Sequence, residues 1–143
     1  MSEKNMVKLI IGLKGSGKTK KLVDLVIGAV NEGRGDVVVI EKERSLTYDI
    51  PYQARLVDAG SYDIGSYELL KGFLSGIHAG NYDITHIFID NYYKLTGDKS
   101  PEAMVDFVKW LNRFSANEKV DFYLSISADP ESVPEELKEY IIQ

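Results

Sequence analysis

Eight residues near the N-terminus restrict what this chain can become. Gly12-Leu13-Lys14-Gly15-Ser16-Gly17-Lys18-Thr19 satisfies G-x-x-x-x-G-K-[ST] at each fixed position. The apolar run Val7-Lys8-Leu9-Ile10-Ile11 leads in and reads as a buried strand; the pattern from Lys20 to Asn31 leads out and reads as a helix. The glycines let the backbone turn tightly enough to aim several N–H groups at one point. A helix beginning near Lys18 adds the positive end of its dipole. Gly12, Leu13, Lys14, Gly15, Ser16, Gly17, Lys18, Thr19 and Lys20 are therefore expected to cradle a polyphosphate. Lys18 reaches the outer phosphates as a point charge, and the Thr19 hydroxyl offers a ligand to Mg²⁺. A glycine-rich turn can match such a pattern by accident, but the strand before and the helix after argue against that.

At these residues the chain resembles the P-loop nucleoside triphosphatases. The resemblance implies Mg²⁺-dependent binding of ATP or GTP on a parallel α/β sheet, and by itself it does not imply hydrolysis. Ile87-Phe88-Ile89-Asp90 resembles a Walker B segment, an apolar strand that ends in aspartate. In that role Asp90 holds Mg²⁺ beside Thr19. Many relatives place glutamate directly after this aspartate to orient or deprotonate water. Here the position is Asn91, an amide that can position water but cannot usefully accept its proton. The reading is therefore weak or conditional hydrolysis. In the branch that inserts a strand between the loop strand and the Walker B strand, a polar residue often ends the inserted strand. Ser127 is that candidate, so Lys18, Asn91 and Ser127 form the candidate catalytic set. Asp129 is a substitute base only if it is not simply a turn residue before Pro130, the simpler reading.

Several near-misses narrow the field. The guanine-selective N-K-x-D segment has its letters out of spacing at Asn117-Glu118-Lys119-Val120-Asp121, which favours ATP over GTP. A signature lysine directly after the first glycine would stand at position 13, which is Leu13. The core is similar to the RecA and thymidine kinase-like branch, but the cysteines of a zinc lasso are missing. His78 and His86 stand on different elements with no third ligand and read as packed residues. Tyr92 and Tyr93 follow Asp90, where packing is a simpler role than stacking on a base. Arg44, Arg55 and Arg113 are candidate γ-phosphate arginines, and solvated ion pairing is the default for each.

With 143 residues the chain is read as a single domain spanning 1–143. Apolar residues make up 44% and charged residues 27%, a globular balance. A net charge of −5 without a basic segment gives no support to a nucleic-acid partner. An anionic ligand then needs a local positive site, and Lys14, Lys18, Lys20 and Lys21 cluster at the glycine loop. The absence of cysteine excludes disulfides and thiolate metal sites. No apolar run is long enough to span a membrane, and the expected setting is cytoplasmic.

Strands are expected at Val7–Gly12, Asp36–Glu41, Thr85–Asp90 and Val120–Ser127, and Ala54–Asp58 is a candidate fifth. Helices are expected from Lys20 to Asn31, from Ser66 to Ala79, from Ser100-Pro101 onward, and over Pro134–Ile141. Alternating elements imply an α/β three-layer sandwich on a mostly parallel sheet of four or five strands. The Walker B branch implies the order second, third, fourth, first strand, which leaves the loop strand at an edge. That edge must be covered by the C-terminal helix, a loop or another subunit, and an open edge invites a homo-oligomer or protein partner.

Three functions fit this reading. The first is an ATP-binding protein with weak hydrolysis. The second is a phosphotransferase acting on a small nucleoside-type acceptor, for which Lys42–Gly65 is the only room. The third is a non-hydrolysing module whose Asn91–Ser100 segment responds to nucleotide.

Overall fold

The computed structural model describes residues 6–43 and 46–142. Arg44 and the polar segment Met1–Asn5 lie outside the described residues. Five strands, β1 (Val7–Gly12), β2 (Asp36–Glu41), β3 (Arg55–Asp58), β4 (Ile84–Ile89) and β5 (Asp121–Ser127), form one sheet. Its order is β1-β5-β4-β2-β3, and each pairing is parallel. The four strands expected from the sequence take the expected order. The fifth, Arg55–Asp58, adds to the outside of β2 rather than to the far side of β1, so β1 remains an edge strand.

The C-terminal segment covers that edge. Leu9 and Ile141 form a parallel bridge, and the Ile142 amide donates to the Leu9 carbonyl at 2.9 Å. The chain reaches this point through a 3₁₀ helix at Glu135–Tyr140, where the sequence suggested an ordinary helix. At six residues it is longer than most 3₁₀ runs.

Side-chain alternation along the strands divides the interior in two. Ile10, Val37, Val39 and Phe88 point to the face covered by α1 (Lys18–Glu32), whose Leu22, Val26 and Ala29 recur at helical spacing. Leu46, Ile50 and Ala54 close the same face from the long connection after β2. Leu9, Val38, Ile40, Ile87, Ile89, Phe122, Leu124 and Ile126 point to the other face. There α2 (Tyr67–Ala79), α3 (Tyr92–Thr96) and α4 (Pro101–Glu118) pack. Helices thus cover both faces of the sheet.

The helix starts follow local chemistry. Ser66 Oγ accepts from the Leu69 amide at 3.1 Å, and Ser100 Oγ accepts from the Ala103 amide at 3.2 Å with Pro101 in the first turn. Asp129 accepts from the Glu131 amide and so caps a 3₁₀ turn, which is the structural role expected of it.

The aromatic candidates settle into packing. Tyr92 is fully buried against Phe107 and Tyr67, so it is a core residue. Tyr93 stacks on Tyr92. His78 is buried between Tyr82 and Phe114, and Trp110 packs on Phe107 and Phe114. Replacing Phe107 by alanine would cost about 3–5 kcal/mol, the usual penalty for emptying such a site.

Candidate functional site

The carboxyl ends of four adjacent strands set the floor of the site. Gly12 pairs with Ser127 in the β1–β5 register. The Ile89–Leu124 and Ile40–Ile89 pairings bring the next residues, Asp90 and Glu41, into the same row. Alternation puts Gly12, Ser125, Ser127, Asp90 and Glu41 on the face of the sheet that carries α1. The loop between β1 and α1 then closes over the row. A cleft of about 430 Å³ results, lined by Lys14, Gly15, Lys18, Thr19, Glu41, Lys42, Glu43, Asp90, Asn91, Lys94 and Ser127.

The loop takes the shape its glycines permit. Gly15 and Gly17 have φ of 85° and 89°, in the region that side-chain-bearing residues rarely enter. Gly17 is also the residue that caps α1. Gly12 is buried, and a Cβ there would overlap Ser16 Oγ and stand 3.1 Å from Ser16 Cβ. The Ser16 amide donates to the Leu13 carbonyl at 3.0 Å, and Lys18 Nζ donates to the same carbonyl at 3.3 Å. That bond folds the lysine back along its own loop. The Leu13 side chain is exposed. Lys20 does not join the cleft lining; its ammonium pairs with Asp24 at 3.1 Å, one turn along the helix.

The acidic side of the cleft is more ordered than the sequence suggested. Asp90 is only 8% exposed, and its Oδ1 accepts from Ser125 Oγ at 2.8 Å. Ser125, fully buried, also accepts from the Asn91 amide at 2.8 Å, so one hydroxyl fixes two consecutive residues. Asn91 sits at φ 52°, ψ 59°, a left-handed conformation that asparagine tolerates better than most residues. Its Oδ1 accepts from Ser127 Oγ at 2.9 Å. Asn91 and Ser127, chosen separately from the sequence, are therefore hydrogen-bonded to each other. Asn91 lines the cleft, and its amide keeps two N–H donors besides the oxygen engaged by Ser127.

Glu41 is 2% exposed and accepts from the Leu46 amide at 3.2 Å and 3.3 Å through its two oxygens. Beyond it, Lys42 Nζ donates to the Lys94 carbonyl at 3.1 Å, and Lys94 Nζ pairs with Glu43 at 2.8 Å. That ammonium holds the Glu43 carboxyl below its ordinary range, chiefly through the hydrogen bond. A second cleft of about 340 Å³ shares Lys42 and Lys94 with the first and is otherwise walled by residues including Gly60, Asp63, Thr96 and Gly97.

Ser125, Glu41, Lys42 and Lys94 were not singled out from the sequence. The only available signal was a polar residue inside or directly after an apolar run. Of the arginines considered there, Arg55 lines a different groove beside α2, and Arg113 is exposed on α4.

Among the described residues, no group of three or more His, Cys, Asp or Glu side chains is arranged to hold a metal ion unaided. The Asp90 carboxylate and the Thr19 hydroxyl share the cleft with the buried Glu41, oxygen donors of the kind a hard cation takes together with water. No helix among the described residues is long and apolar enough to cross a membrane. Compared with known proteins, the chain matches no family model and no curated sequence.

Proposed function

We propose that this chain binds a Mg²⁺–nucleoside triphosphate, ATP in preference to GTP, in the manner of a P-loop protein, and hydrolyses it weakly or conditionally. The observation that carries the reading is the meeting of Lys18, Thr19 and Asp90 in one cleft beneath a loop whose glycines adopt positive φ. In this reading the loop amides and the dipole end of α1 hold the phosphates. Thr19 and Asp90 would hold Mg²⁺, which would supply charge neutralisation at the phosphate oxygens.

The remaining steps belong to the chain's own groups. Lys18 leaves the Leu13 carbonyl for a phosphate oxygen, a stronger charge-assisted bond. Asn91 can orient a water, but its amide is not a base, and its oxygen already accepts from Ser127. In-line attack would then proceed without an efficient base, so weak turnover is the expectation. Guanidinium assistance of the kind supplied by a neighbouring subunit is compatible with this picture.

Calorimetry with Mg²⁺–ATP tests the binding step. Lys18→Ala is expected to abolish binding, and an unchanged affinity would overturn the reading. Asn91→Glu tests the cause of slow turnover and is expected to raise the hydrolysis rate.

A second reading is phosphoryl transfer to a small acceptor. It is favoured by the adjoining cleft at Lys42 and Lys94, built from the segment that the sequence left as the only room for an acceptor. Formation of phosphorylated product from a panel of nucleosides would distinguish it from simple hydrolysis.

A further inference from the structure

Two lysines that the triphosphate reading does not use stand across the strand-end row from the glycine loop. The loop follows β1; Lys42 and Glu43 follow β2, and Lys94 lies on α3 after β4, with β5 between these strands and β1. All three side chains nevertheless line the same cleft as Lys18, Thr19 and Asp90. We infer that Lys94 is the group by which this cleft tells a nucleoside triphosphate from a diphosphate, and that Glu43 occupies its ammonium until the terminal phosphate displaces it. The inference rests on the nucleotide-binding reading of the site.

The argument begins with reach. In the proposed binding mode the loop amides would grip the inner phosphates, and the outermost would extend into the cleft that Lys42 and Lys94 also line. A diphosphate ends one group sooner. Lys42 is engaged as a tether, because its ammonium donates to the Lys94 carbonyl and so ties α3 to the end of β2. The Gly65 amide holds the next carbonyl, that of Leu95, at 2.9 Å. The backbone at Lys94 is therefore fixed while its side chain is about half exposed and free to change partner.

The partner is replaceable. Glu43 is 60% exposed and pairs with the Lys94 ammonium at 2.8 Å, while Lys42 and Lys14 add weaker attraction. An exposed pair of this type contributes about 1 kcal/mol or less. A phosphate oxygen, carrying more charge than a carboxylate oxygen, is the stronger acceptor for the same ammonium. The exchange moves no proton and breaks no covalent bond; it trades a carboxylate for a phosphate on the same nitrogen.

The test is the ratio of Mg²⁺–ATP to Mg²⁺–ADP affinity, measured by calorimetry for the full chain and for Lys94→Met, Lys94→Arg and Glu43→Gln. Lys94→Met is expected to lower the ratio by about 10-fold while ADP affinity stays within about twofold, the size of one charge-assisted contact. Lys94→Arg keeps the charge and is expected to restore most of the ratio. Glu43→Gln removes the competitor and is expected to raise it. An unchanged ratio in Lys94→Met, or an equal loss for both nucleotides, overturns the assignment; an unchanged ratio in Glu43→Gln overturns the role of Glu43. If the unmodified chain binds neither nucleotide, the underlying reading of the cleft fails as well, which separates the two failures.

Discussion

Ser125 and Asp90, 35 residues apart, are joined by a 2.8 Å hydrogen bond from the serine hydroxyl to Asp90 Oδ1. The same hydroxyl receives the Asn91 amide, so the bond sets both the direction of the carboxylate and the start of α3. Ser125→Ala leaves a nearly buried carboxylate and an amide without their partner. The expected cost is about 1–3 kcal/mol in urea denaturation. Supporting residues behind a metal ligand typically change metal affinity by about 10-fold or more. The Mg²⁺ concentration needed for half-maximal ATP binding should therefore rise by about that factor in Ser125→Ala.

Gly12 and Ser16 form a second testable pair. A Cβ at position 12 would overlap the Ser16 hydroxyl and stand 3.1 Å from Ser16 Cβ, so Gly12→Ala has to turn that hydroxyl away and press on the loop at Ser16. Nucleotide affinity is expected to fall by at least about 10-fold, a misplacement penalty for a preorganised donor set. Adding Ser16→Gly removes the obstructing side chain and should recover part of the loss. Failure of the double variant to recover would show that the close approach at Gly12 is not what shapes the loop.

The Tyr92 hydroxyl is buried without a hydrogen-bond partner among the described residues; it lies near Tyr67 but without acceptable bonding geometry. Burial pushes the Tyr92 phenol far above its ordinary range, and the Tyr67 phenol, desolvated beside it, up to about 12. An unsatisfied buried hydroxyl destabilises the fold, so Tyr92→Phe should be stabilising by about 1 kcal/mol. A loss of stability in Tyr92→Phe would mean that the hydroxyl has a partner.

His86 gives the fold a pH dependence at the end of the sheet opposite the cleft. Its Nε2 lies 2.9 Å from Arg34 Nη2, and a guanidinium only donates, so Nε2 accepts and Nδ1 carries the proton towards Thr85 Oγ1 at 2.8 Å. Burial first, then Arg34, lower the His86 pKa from its ordinary 6.5; Asp121 and Glu32 oppose that shift. The unfolded chain therefore binds the proton more readily than the folded one. Stability from neutral His86 is complete above about pH 6.5 and declines as the pH falls from there towards the lowered folded value. Urea midpoints should drop between pH 7.5 and pH 5, and His86→Gln should flatten that slope. An equal slope in the variant would assign the pH dependence elsewhere.

The parts of this molecule that were legible in the sequence are those written in contiguous residues. The glycine loop declares itself because φ near +85° at Gly15 and Gly17 demands glycine at those positions. The apolar strands and the serine-capped helices follow from periodicity and capping over a dozen residues or fewer. Ser125 was hidden because its partner is set by the β4–β5 register, which a parallel crossover fixes at long range. Glu41, Lys42 and Lys94 were hidden because charged residues at strand ends and in short loops usually face water. At five residues, α3 is shorter than the window over which helical periodicity can be seen. The edge strand β3 was ambiguous because Arg55-Leu56-Val57-Asp58 is short and follows Pro51.

The melting temperature of the purified chain with and without about 1 mM Mg²⁺–ATP tests the nucleotide reading most directly. A ligand at about 100 times its dissociation constant stabilises the folded state by about 2.7 kcal/mol, or about 5–10 °C in a domain of this size. The account expects that rise for the unmodified chain, a smaller one without Mg²⁺, and none for Lys18→Ala. Melting curves that superimpose with and without nucleotide would contradict it.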